Sequence, residues 1–112
     1  MHTNDALGEF EHLVLLAIVR LGPDAYGVPI RQEIERRTGR SIAVGALYTA
    51  LDRLSRKGYV ASTLSEPTPQ RGGRAKRYFR LRPAGGAALK RSRRALDSMW
   101  SGINPEFLRG RG

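Results

Sequence analysis

The stretch from Gly8 to Gly22, "GEFEHLVLLAIVRLG", constrains the fold more than any other. Phe10, Leu13, Val14, Ala17, Ile18 and Leu21 recur at helical spacing, and Leu15, Leu16 and Val19 fill the opposite side. A helix apolar nearly all round has to be covered on two faces. A chain of 112 residues supports one modest core, so the second face is expected to meet another copy. Gly22 and Pro23 end the helix.

"YGVPIRQEIERRTG" predicts an amphipathic second helix with Val28, Ile30 and Ile34 on one stripe. Pro29 falls in its first turn, where a missing N–H costs nothing, and Gly39 is placed to stop it. "VGALYTALDRLSRKG" follows with Leu47, Leu51 and Leu54 at i, i+4 and i+7, ending at Gly58. Two helices joined by a short Gly-containing turn form a helix-turn-helix. "YVASTLS" and "AKRYFRL" then read as strands, the second with Arg77, Phe79 and Leu81 on one face and Lys76, Tyr78 and Arg80 on the other. The Pro/Gly-rich "PTPQRGGR" between them is more economically the tip of a hairpin than a basic linker or a disordered RGG segment. From Pro83 a last helix presents Leu89, Leu96, Trp100 and Ile103 on its apolar side. Gly85 and Gly86 weaken its first turns, and the tail beyond Pro105 is expected to fray.

Helix, helix, helix, strand, basic loop, strand is the order of a winged helix: a mainly α fold with a small β-hairpin. The expected divisions are 1–82 for the winged helix, 83–104 for a C-terminal dimerisation helix and 105–112 for the tail. Charge agrees with that order. Lysine and arginine number 20 against 10 acids, a net charge of +10, which calls for a polyanionic partner such as nucleic acid or an anionic membrane surface. Arg53, Arg56 and Lys57 end the third helix and Arg71, Arg74, Lys76, Arg77, Arg80 and Arg82 crowd the hairpin, where a duplex would lie. Hydrophobic residues at 40% exclude general disorder. Leu13 to Val19 is too short to span a bilayer, the N-terminus lacks the basic region of a signal peptide, and there is no cysteine. The expectation is a cytoplasmic protein with no membrane partner.

With Leu47, Leu51 and Leu54 inward, the third helix turns Gly45, Ala46, Thr49, Ala50 and Arg53 outward. Small residues let it approach base edges closely, Ala46 and Thr49 can touch thymine methyls, and Arg53 can reach a guanine or a phosphate. Tyr48 lies beside the stripe, either as packing with its hydroxyl at the rim or as a phosphate ligand. Arg71 and Arg74 flank Gly72 and Gly73, a pair that lets backbone amides approach a phosphate. Trp100 lies on a helix with little of its own domain to pack on. A homodimer burying Leu15, Leu16, Leu89, Leu96, Trp100 and Ile103 is the expected answer, and facing tryptophans could also stack a small aromatic effector. His2 and His12 have no metal-ligand partners at useful spacing, and no catalytic motif appears, so neither a metal, a cofactor nor enzyme activity is expected.

Taken together, "LGEFEHLVLLAIVRLGPDAYGVPIRQEIERRTG", "GALYTALDRLSRKGYV" and "EPTPQRGGRAKRYFRL" resemble the PadR family of transcriptional regulators over about residues 7 to 90. The resemblance implies a homodimeric winged-helix DNA-binding protein, usually a repressor, whose C-terminal helix dimerises and in some members senses small aromatic or drug-like molecules. It implies that Tyr48 and its neighbours form the recognition-helix motif and that Arg71 to Arg77 form the wing. Ala43 and Val44 depart from the serine cap and proline of many relatives, so the third helix starts less firmly capped. A single C-terminal helix is similar to the short subgroup of the family. The competing expectation is a basic architectural or RNA-binding protein without promoter specificity.

Overall fold

The computed structural model describes residues 6–66 and 75–110. Four helices and one hairpin follow in the expected order: α1 (Glu9–Leu21), α2 (Gly27–Thr38), α3 (Val44–Arg56), β1 (Val60–Leu64), β2 (Arg77–Leu81) and α4 (Pro83–Trp100). Short 3-10 turns cover Gly22–Asp24 and Pro105–Arg109.

The stops lie where glycine permits a left-handed backbone. Gly39 closes α2 at φ 73° and Gly58 follows α3 at φ 77°. At the start of α1 the Glu11 carboxylate reaches back to accept from the Gly8 N–H at 3.0 Å, satisfying an otherwise orphaned donor. The Lys57 ammonium donates to the same carboxylate at 3.0 Å and 3.2 Å, joining the end of α3 to the start of α1. Lys57 is thereby paired, and does not stand free among the cations that end α3. No side chain caps α3 at Ala43, as the departure from the serine cap implies.

β1 and β2 pair antiparallel, with Val60 opposite Leu81, Ser62 opposite Phe79 and Leu64 opposite Arg77. The alternation reads as expected: Phe79 is buried on the face shared with Arg77, and Tyr78 lies on the other. A single residue, Tyr26, bridges to Tyr78 and makes a rudimentary third strand, with the Phe79 N–H donating to the Ala25 carbonyl at 2.8 Å.

The core gathers Val14, Leu15, Ile18, Ile30, Ile34, Leu47, Leu51, Leu54, Val60, Phe79 and Ala88. α1 runs through its middle, packed by α2, α3, β2 and α4. The second face of α1 is therefore largely covered by its own chain. Leu15 is 0% exposed, which corrects its assignment to a dimer interface; Leu16 and Val19 are what α1 leaves open. Ala50 is corrected likewise: it lies on the i+3 step between Leu47 and Leu54, inside the buried stripe of α3.

Gly85 does more than loosen α4. It is buried, and a Cβ there would stand 2.3 Å from the Tyr59 carbonyl oxygen, which accepts from the Arg82 N–H at 2.9 Å. Glycine lets α4 start directly on the backbone between α3 and β1. Beyond α4 comes the exposed 3-10 turn Pro105–Arg109, whose Glu106 N–H donates to the Asn104 side chain at 3.0 Å.

Candidate nucleic-acid interface

The open face of α3 lies between the start of α1 and the hairpin. On one flank Ala46, Thr49 and Arg53 line a shallow hollow with Gly8 and Phe10. On the other, Tyr48 and Ser55 line a second hollow with Ser62 and Arg77 from the strands. Gly45, Ala46, Tyr48, Thr49 and Arg53 are all exposed, Tyr48 by 49%. The recognition residues expected on α3 thus share one surface with Arg77.

The hairpin positions that arginine. Ser62 and Arg77 lie on the strand face turned towards α3, and the Arg77 guanidinium donates to the Ser62 hydroxyl at 3.0 Å. Lys76 is one residue away and on the opposite side. Its ammonium stands 4.6 Å from the centre of the Tyr26 ring, which meets Tyr78 edge-on. Stacking on an aromatic face holds a cation without neutralising it. Arg71 and Arg74 lie outside the described residues.

The surface also carries an acid. Asp52 is exposed on α3 and pairs with Arg56 one turn on, so Arg56 is partly occupied. Arg53 is the cation at the end of α3 for which the structure shows no ion pair among the described residues. Farther along, Arg40 in the turn between α2 and α3 pairs with Glu9 at 2.7 Å.

A second surface lies at the far end of α4. Leu96, Met99, Trp100, Ile103 and Leu108 surround an apolar hollow of about 200 Å³. Leu96 and Trp100 are more than half exposed and Ile103 is 41% exposed, whereas Leu89 is half-buried against the core. Met99 and Leu108 were legible as apolar residues but not as neighbours, because the turn at Gly102 that brings Leu108 back has no periodic signature. Among the described residues no group of histidines and acids could hold a metal, and no helix is long and apolar enough to cross a membrane.

Three helices and a hairpin, with the third helix standing open beside the hairpin, define a winged helix-turn-helix protein. More narrowly, the chain belongs to the PadR-like family of transcriptional regulators, whose model matches residues 15–91. It is 38% identical over 76 residues to the transcriptional regulator Rv3488 of Mycobacterium tuberculosis, a match covering 68% of this chain and 66% of that relative. Among solved structures it is similar to a transcriptional regulator from Clostridium thermocellum, with a TM-score of 0.69 and 25% identity over 80% of this chain and 84% of the other. A PadR-like transcriptional regulator from Bacillus cereus shares the fold at a TM-score of 0.69 and 19% identity, covering 91% of this chain and 93% of that one. The family is one of transcriptional regulators and not of enzymes.

Proposed function

We propose that the protein is a homodimeric repressor that binds double-stranded DNA at a pseudo-palindromic operator. The observation that carries the reading is the open face of α3, where Ala46, Thr49 and Arg53 stand free beside Tyr48 and the hairpin's Arg77. Small side chains allow close approach to base edges, Arg53 reaches a guanine or phosphate, and Arg77 with the cations of the wing, Arg71, Arg74 and Lys76, supplies counterion-release affinity. Half-sites would lie one helical turn apart, roughly 34–36 Å.

The exposed apolar end of α4 supports the dimer, with Leu96, Trp100 and Ile103 as its centre and Leu16 and Leu89 at its margin. In such a dimer two copies of the hollow beside Trp100 face each other, a place for a small planar aromatic effector. An effector that prefers one spacing of the two α3 helices would release the operator.

The test is competition binding with a duplex selected from the source genome against a random duplex at matched salt. A specific regulator favours the selected duplex by on the order of 10³ or more. Equal affinity for both sinks the operator reading and leaves a basic architectural protein. Normal operator binding by Thr49→Lys or Arg53→Ala shows that another face of α3 meets the DNA.

A further inference from the structure

Gly27 is the first residue of α2 and is buried, yet its backbone is ordinary helix, where alanine is worth up to about 1 kcal/mol more. Space, not conformation, explains the glycine. A Cβ at this position would stand 2.2 Å from the Tyr48 hydroxyl oxygen and 2.9 Å from the ring carbon that bears it. Tyr48, projecting from α3, therefore lies over the first turn of α2 in the room an absent side chain leaves. Its hydroxyl makes no hydrogen bond to any described residue, and its side chain remains half exposed.

In a helix-turn-helix the first helix of the pair crosses the phosphate backbone while the second enters the groove. A hydroxyl held where the two helices meet is placed to donate to a phosphate. We propose that Gly27 is a positioning residue for DNA: by lacking a side chain it seats the Tyr48 ring on α2 and aims its hydroxyl at a backbone phosphate. This rests on the DNA-binding reading above. The obstructing atoms at Gly27 belong to the free end of a side chain, so a methyl there turns Tyr48 aside and leaves the fold standing. At Gly85, where the obstacle is a carbonyl, the backbone itself would have to move.

The experiment measures the affinity of the full chain for the selected and random duplexes over a salt series, with thermal melts alongside. The variants are Gly27→Ala, Tyr48→Phe, Tyr48→Ala and the pair Gly27→Ala/Tyr48→Ala. Gly27→Ala and Tyr48→Phe are each expected to lose on the order of tenfold on both duplexes, the weight of one hydrogen bond to a charged group. The salt slope stays unchanged, because a neutral hydroxyl displaces no counterion. In the Tyr48→Ala background Gly27→Ala costs nothing further. Wild-type affinity in Tyr48→Phe, or an equal cost of Gly27→Ala in both backgrounds, overturns the proposal. If Gly27→Ala does not fold, Tyr48→Phe decides, since it keeps the ring and removes only the donor. A wild type that binds neither duplex overturns the DNA reading itself; lost coupling in a wild type that binds overturns this positioning role alone.

Discussion

From α1 to β2 the chain closes a core of its own, whereas the outer half of α4 closes nothing. Val14, Leu15, Leu47, Leu51 and Leu54 are at most 1% exposed, but from Arg93 to Gly110 every residue is exposed, Met99 by 78% and Trp100 by 57%. Both regions are built from the same apolar residue types. The difference is that α1 finds α2, α3, β2 and α4 around it, while α4 makes its last core contacts at Ala88 and Leu89, bonds to His12 through Ser92, and is exposed from Arg93 on. A contiguous apolar surface of that kind marks an interaction site.

The largest effect should come from attacking the open region. Trp100→Ala in the proposed dimer is expected to weaken self-association by about 2–4 kcal/mol, as buried tryptophans at interface centres do. Sedimentation equilibrium reads this as a rise in the dimer dissociation constant. An unchanged constant would show that this end of α4 is not where two copies meet. Monomer helicity by circular dichroism should not fall, since Trp100 contributes nothing to the closed core.

Next in size is a pair of adjacent glycines at the junction of the two regions. Gly85→Ala drives a Cβ to within 2.3 Å of the Tyr59 carbonyl and 2.8 Å of a Leu81 methyl, and should destabilise by about 1–3 kcal/mol. Gly86→Ala meets only a Leu81 methyl at 3.6 Å, so helix propensity wins there and the protein gains up to about 1 kcal/mol. Denaturant melts of the two variants should therefore move in opposite directions. The same sign for both would mean that α4 does not start against the Tyr59 backbone.

These glycines show what the sequence could and could not reveal. Helix and strand order was legible because Leu47, Leu51 and Leu54 repeat at helical spacing, Phe79 alternates with Tyr78, and Gly39 and Gly58 punctuate. The open α3 face followed from the same periodicity once Ala50 is counted where its spacing puts it, three residues after Leu47 and four before Leu54, on the buried stripe. Leu15 was misread because all-round hydrophobicity says that two faces are covered but not by which chain. Gly27 and Gly85 were legible only as a helix start and a weak helix, since what each makes room for, Tyr48 and the Tyr59 carbonyl, is a distant partner. The pull of Lys57 onto Glu11 is of the same kind: charge is read locally and pairing is not.

The smallest effect tests whether the closed region answers to pH independently of the open one. Glu33 is a carboxylate with 8% side-chain exposure, held by Arg37 at 2.5 Å and by Arg36, whose own side chains are 52% and 68% exposed. The Arg37 hydrogen bond holds its pKa below the ordinary glutamate range; burial opposes the shift, and the charges of Arg36 and Arg37 add to it. A pKa lower in the folded state than in the unfolded one gives stability that is complete above the unfolded value, about 4.3, and is lost as pH falls through the folded value. Glu33→Gln should therefore melt below the wild type at neutral pH, with the gap closing on the acid side of that range. High salt should narrow the gap at neutral pH as well, because both arginines face water. Association through α4 should be the same in Glu33→Gln and wild type at neutral pH. A gap that persists unchanged into acid would assign the loss to packing around Glu33 rather than to its charge.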